Sequence, residues 1–226
     1  MSSTVSEQLF VTLCNSLALN SEKIPETLTK TPDYKVTAKG CVFHAEVKDL
    51  RPNDEERRLL DEFRDKKSVS VSSQLGHRAW GMIDQARYQL KAVREQRLPG
   101  IIVLYDNIKL DDGTNLGPHG PLSPDHITAA MFGKWVVDLK IENGTGNVIA
   151  RNDRCGPNES FNYRMKSYVS AVAVICDYFV PLTITLYHNP YAEHPLPISV
   201  FNGANCRNFK VTIEDAKRPQ SWVRCD

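Results

Sequence analysis

After Val42, polar and apolar residues alternate along residues 41–48, CVFHAEVK. Cys41, Phe43, Ala45 and Val47 fall on one side, and His44, Glu46 and Lys48 on the other. A period of two is that of a β-strand, whose side chains point to opposite faces in turn. Elsewhere the period lengthens. Val5, Leu9, Leu13 and Leu17 recur about every four residues and predict an amphipathic helix over 4–19. Ala79, Ile83, Ala86 and Leu90 predict a long helix over 76–97, stopped by Pro99-Gly100. The continuous run IIVLY at 101–105 is that of a strand buried on both faces.

Weaker patterns fill the rest. Residues 20–32 are polar, carry Pro25 and Pro32, and read as a connection; 33–38 read as a further strand. Asn53 or Asp54 is placed to cap a charged helix over 55–66, and Ser68–Ser73 reads as a linker. Ser123 is placed to cap a helix over 124–134. Residues 135–151 predict a hairpin turning at Asn143-Gly144, and strands are expected at 169–178, 182–188 and 209–213, with a proline-rich loop at 189–199. Strand, helix and buried strand in that order indicate an α/β fold, and a strand at 101–105 after a long helix fits a crossover in one sheet.

A length of 226 residues suits one domain with a substantial core. No apolar run is long enough to span a membrane, and the N-terminus lacks the basic-then-apolar pattern of a secretory leader. The six cysteines form no CxxC pair and read as reduced thiols of a cytoplasmic protein, so the sequons at Asn143 and Asn158 carry no meaning. A net charge of +1 excludes a strongly basic protein that coats nucleic acid, and any such contact must come from a local patch. The P-loop, dinucleotide-binding, nucleophile-elbow and zinc-protease motifs are all absent.

The chemistry concentrates at 31–48. One turn upstream of the alternating strand stands Asp33, a carboxylate that strand pairing would bring beside Glu46. Two adjacent carboxylates repel, and burying them is costly without a counter-charge. Mg²⁺ supplies one, taking one or two carboxylates and keeping waters and phosphate oxygens in its other positions. Lys48 shares the face of Glu46 and is placed to orient an attacking water or to stabilise charge on a phosphate.

Pro32-Asp33, twelve residues, then Glu46-Val47-Lys48 resembles the signature of the PD-(D/E)XK, restriction-endonuclease-like nuclease superfamily. The resemblance covers roughly residues 5–105. It implies a central mixed β-sheet flanked by helices, with 106–226 as a β-rich extension that completes or caps the core. It implies that Asp33 and Glu46 bind Mg²⁺ (with Mn²⁺ as substitute), that the Val47 carbonyl is a further ligand, and that Lys48 is the catalytic lysine. Hydrolysis of phosphodiester bonds in DNA by a metal-activated water is the expected activity. The same chemistry on RNA and a non-catalytic nucleic-acid-binding or interaction module are the alternatives, and a homodimer is compatible with either.

Several residues stand beside this set. Some members of the superfamily carry an acidic residue on the first helix, here Glu7, which reads more simply as part of a solvated helix face. Some carry a glutamine on the helix after the motif, here Gln85, with Gln89 one turn on. His44 is expected to satisfy a hydrogen bond beside the site. His188, His194 and Glu193 have no compact ligand spacing. Arg64, Lys66, Lys67 and Arg78 bracket the serine linker, and Arg87, Lys91 and Arg94 share a side of the long helix. Of these, Lys67, Arg78 and Lys91 are the chosen phosphate contacts, against the plainer reading of a solvated surface with interleaved acids.

Overall fold

A computed structural model describes residues 3–25, 30–38, 40–66, 75–108, 120–133, 135–141, 148–155, 161–162, 164–177, 181–212 and 222–225. The expected linker at 68–73 and turn at Asn143-Gly144 lie outside the described residues, as do Lys67 and the side chains of Arg64 and Lys66.

Helix α1 (Val5–Ser16) begins with a reciprocal cap: the Glu7 N–H donates to Thr4 Oγ1, and the Thr4 N–H donates to Glu7 Oε2. It buries Phe10, Leu13 and Cys14. The chain turns at Ala18, whose φ of 56° is left-handed, into β1 (Asn20–Lys23). This strand corrects the expected connection over 20–32. Its four polar, largely exposed residues have no apolar alternation, and β1 exists through its pairing with β2 (Tyr34–Ala38) at the sheet edge.

Strand β3 (Cys41–Leu50) outlasts the expected 41–48 by two residues. Helix α2 (Asp54–Lys66) opens with a second reciprocal cap, Glu56 N–H to Asn53 Oδ1 and Asn53 N–H to Glu56 Oε2, both 2.8 Å. Helix α3 (His77–Ala92) is shorter than expected. It gives way to a short 3-10 turn at Arg94–Gln96, closed by Arg97 at a left-handed φ of 53°. Strand β4 (Gly100–Asp106) is buried along its whole length, as the apolar run predicts.

Helix α4 (Pro124–Phe132) has Ser123 at its N-cap in extended backbone, but the Ser123 side chain makes no capping bond. Proline at the first helical position removes one of the N–H groups a cap would satisfy. Strands β5 (Trp135–Ile141) and β6 (Val148–Cys155) pair antiparallel as a separate two-stranded ribbon. Strands β7 (Ala171–Cys176), β8 (Thr183–His188), β9 (Cys206–Lys210) and the two-residue β10 (Val223–Arg224) follow, with a 3-10 turn at Ile198–Phe201 where loop was expected. The last expected strand, 209–213, is thus displaced to β9, and β10 had no visible pattern.

The main sheet runs β1-β2-β3-β4-β7-β8-β9-β10 and is mixed: β3, β4 and β7 are mutually parallel, β8 and β9 are parallel, and the other neighbours are antiparallel. The fold is therefore α/β, a large eight-stranded mixed sheet with helices against it. Alternate residues of each strand feed two cores. Phe43, Ala45 and Val47 of β3 with Ile101 and Val103 of β4 meet Phe10 and Leu13 of α1. Leu50, Ile102 and Leu104 on the other face meet Ala79, Ile83, Ala86 and Leu90 of α3 and Ile127 of α4. No helix among the described residues is long and apolar enough to cross a membrane.

Candidate active site

The β2–β3 register sets Tyr34 opposite Ala45. Continued by one residue, it sets Asp33 opposite Glu46, and the Asp33 charge acts on the Glu46 carboxyl. The ladder stops at Tyr34. Pro32, the next position opposite Val47, has no N–H to offer that strand. The Val47 N–H donates to the Asp33 side chain, at Oδ2, at 2.8 Å. That bond fixes the Asp33 carboxylate against β3.

Glu46 does not sit on an open polar face. The His44–Glu46–Lys48 side of β3 is covered by α3, and Glu46 is only 2% exposed. Its Oε1 accepts from Lys48 Nζ at 2.6 Å, while its Oε2 is buried with no hydrogen-bond partner. Burial, and then the Asp33 charge beside it, push the Glu46 carboxyl up to about 7, against the opposing pull of Lys48 and the Asp33 N–H. Lys48 itself is half-buried.

Further charges stand around this pair. The Lys23 ammonium, from the unforeseen β1, is hydrogen-bonded to Glu7 and stands 3.7 Å from Asp33 Oδ1. Glu7 is buried, not part of a solvated helix face, and its carboxylate also accepts from the Ser3 hydroxyl and the Thr4 N–H. Burial raises its pKa, but the Lys23 and Thr4 bonds outweigh that and hold the carboxyl below its ordinary value. The Thr4-x-x-Glu7 spacing of a capping box was the readable sign that Glu7 turns inward. Lys23 left no such sign.

The remaining candidates separate clearly. His44 is buried, its Nε2 3.0 Å from Gln96 Oε1 and its Nδ1 without a partner; burial, then the Lys35 charge, push its pKa down. Gln85 is exposed on α3, whereas Gln89 is half-buried and its Oε1 is buried without a partner. Arg78 is engaged within the fold, donating to the Arg51 carbonyl at 2.6 Å and pairing with Glu56 at 3.1 Å, while Lys91 is exposed. Arg94 pairs with Glu193, which also accepts from the Ser167 hydroxyl. His188 shares a bond with Asn208 Oδ1 at 2.9 Å. Neither histidine of that region joins a ligand cluster, and among the described residues no three His, Cys, Asp or Glu side chains converge as a metal-binding group.

A divalent cation nevertheless fits the donors present. An unpartnered, buried carboxylate oxygen beside a second carboxylate is what a cation would satisfy, and Asp33, Glu46 and the Val47 carbonyl are hard oxygen donors of the kind Mg²⁺ takes. No family model, curated protein or solved structure matches the chain.

Proposed function

We propose that this chain is a metal-dependent nuclease of the restriction-endonuclease-like type, hydrolysing phosphodiester bonds in DNA. The observation that carries the proposal is the buried Glu46, with Lys48 on one oxygen, no partner on the other and Asp33 alongside. The sheet order, with the β1-β2-β3 meander running into a parallel β4 through the α2–α3 connection, agrees with that reading. Asp33 and Glu46, with the Val47 carbonyl, would hold Mg²⁺ or Mn²⁺. The ion, when bound, lowers the pKa of its water and offsets charge on the scissile phosphate.

The protein's own groups do the rest. The Val47 N–H fixes the Asp33 carboxylate, leaving its second oxygen to point away from the bond. The Lys48 ammonium, which rests on Glu46 Oε1, would be placed to donate to an attacking water or to a phosphate oxygen. Lys23 holds Glu7 and steadies Asp33 from the other side.

Cleavage of circular and linear DNA, and of structured RNA, tests the proposal with Mg²⁺, Mn²⁺ or EDTA. The expected outcome is metal-dependent cutting of DNA, reduced at least about 100-fold in Asp33→Asn and in Lys48→Ala. Cutting confined to RNA would change the substrate and keep the chemistry. A non-catalytic binding module has one observation in its favour: Lys48 already neutralises Glu46. Mn²⁺ binding followed by electron paramagnetic resonance separates the two, since a module held together by that ion pair takes up no ion and Asp33→Asn changes nothing.

A further inference from the structure

The outer side of α3 carries aromatic rings that no core residue covers. Trp80 is 41% exposed and Tyr88, eight residues on, is 43% exposed. At 1.5 Å per residue they stand about 12 Å apart along the helix axis. Residues 80, 84, 87, 88 and 91 share one side of a helix at 100° per residue, so Asp84, Arg87 and Lys91 lie on the same stripe. Exposed aromatics on a helix surface forgo the burial that usually stabilises them, and here each ring is paired with a cation instead. Lys166 Nζ, from the turn before β7, lies 6.0 Å from the Trp80 ring centroid and 3.5 Å from Asp84 Oδ1. The Arg87 guanidinium lies 4.4 Å from the Tyr88 centroid, and Arg87 donates to the Tyr88 hydroxyl.

The third cation at this surface ties it to the active site. Lys30 Nζ lies 4.8 Å over the Tyr88 ring. Lys30 is exposed and stands three residues before Asp33 in the segment that delivers the carboxylate. Arg87 and Lys166 pair with Asp84, and the exposed Lys30 and Lys91 add cations to the same surface, in a protein whose overall charge is close to neutral. Local positive charge around exposed rings favours a polyanion with flat, stackable groups.

We propose that this stripe, Trp80 to Tyr88 with Lys30, Arg87 and Lys91, is a stacking surface for an unpaired DNA strand whose backbone leads past Lys30 to Asp33. The inference rests on the nuclease reading for its direction, and it names the substrate form: DNA with a single-stranded end, flap or loop beside the scissile bond. Bases of a duplex are already stacked and have no free faces to offer Trp80. An unpaired strand has, and its phosphates would draw Lys30 away from the Tyr88 ring. Lys166 is too deeply buried to touch phosphate, whereas the Trp80 ring beside it is 41% exposed.

The test is fluorescence anisotropy with a labelled oligodeoxythymidylate and a labelled duplex of equal length, in EDTA so that nothing is cut. The unpaired strand should bind more tightly than the duplex. Trp80→Ala and Tyr88→Ala should each weaken it about tenfold, the cost typical of losing one stacked base. Trp80→Phe, which keeps a ring over Lys166, should restore most of the affinity and shows that the loss is not one of folding. Equal affinity for both probes, no binding by the parent protein, or alanine variants that bind like the parent would each overturn the proposal. Cleavage bears on the other reading alone: strand binding by a parent protein that cuts no substrate with Mg²⁺ or Mn²⁺ would sink the nuclease and leave the stacking surface standing. Cleavage that depends on Asp33 but not on Trp80 would do the reverse.

Discussion

At the scale of single residues, the site is a set of charges that would repel one another without specific partners. Glu46 illustrates the sign. An ordinary glutamate titrates near 4.5, and in the folded chain burial and Asp33 raise this to about 7. The folded state therefore holds its proton more tightly than the unfolded chain does. Between those values, rising pH ionises the unfolded state first, and stability falls until about pH 7 is passed. A shift of this size corresponds to about 3 kcal/mol. In EDTA, urea melts of the parent protein should show lower stability at about pH 8 than at about pH 5 from this source, and Glu46→Gln should lose that dependence and be the more stable protein at about pH 8. Equal pH profiles for both would mean that Lys48 compensates fully. Glu7 works in the opposite sense, because Lys23, Ser3 and Thr4 stabilise its charged form. Lys23→Met leaves a buried carboxylate without its cation and should cost about 1–3 kcal/mol by chemical denaturation, less than for a fully buried pair because Lys23 is itself partly exposed.

At the scale of elements, legibility follows burial. Strand β3 was readable because Phe43, Ala45 and Val47 must enter a core, and β4 because an apolar run has nowhere else to go. The placement of Asp33 beside Glu46 followed from β3 and the turn that joins it to β2. Strand β1 was not readable, since Asn20–Lys23 buries almost nothing and owes its form to main-chain bonds with β2. For the same reason Lys23 went unseen. The alternation showed that His44 and Glu46 face away from Phe43, but not that α3 closes over them, because a polar face looks the same in sequence whether water or a helix covers it. Gly76 marks where α3 is locked. Its φ of 76° is left-handed, and an added Cβ would lie 2.9 Å from both Ala129 Cβ and Ala130 N of α4. Gly76→Ala should therefore destabilise the fold by about 2 kcal/mol or more, read as a fall in the urea midpoint.

At the scale of the whole molecule, the motif occupies the first half of the chain but the sheet does not divide there. Strand β4 pairs with β3 on one edge and β7 on the other, and the cores on both faces draw on β7 and β8. A fragment of residues 1–108 would expose an entire strand edge and lack those partners. It should show no cooperative urea transition by circular dichroism; a cooperative one would mean that the motif half folds alone. The order of the sheet also sets how firmly each part of the site is held. Strand β4 lies deep in the order, whereas β1, four residues long, is its margin. Amide protons of Ile102 and Val103 should exchange with deuterium only when the whole molecule opens, and those of Ser21 to Lys23 through local fraying, orders of magnitude sooner. Glu46 and Lys48 ride on the slow strand; Asp33 is reached through β1 and β2. A divalent ion that bridges Asp33 to Glu46 would splice the margin to the centre, and its binding should be visible as slowed exchange at β1, a strand that touches no part of the ion.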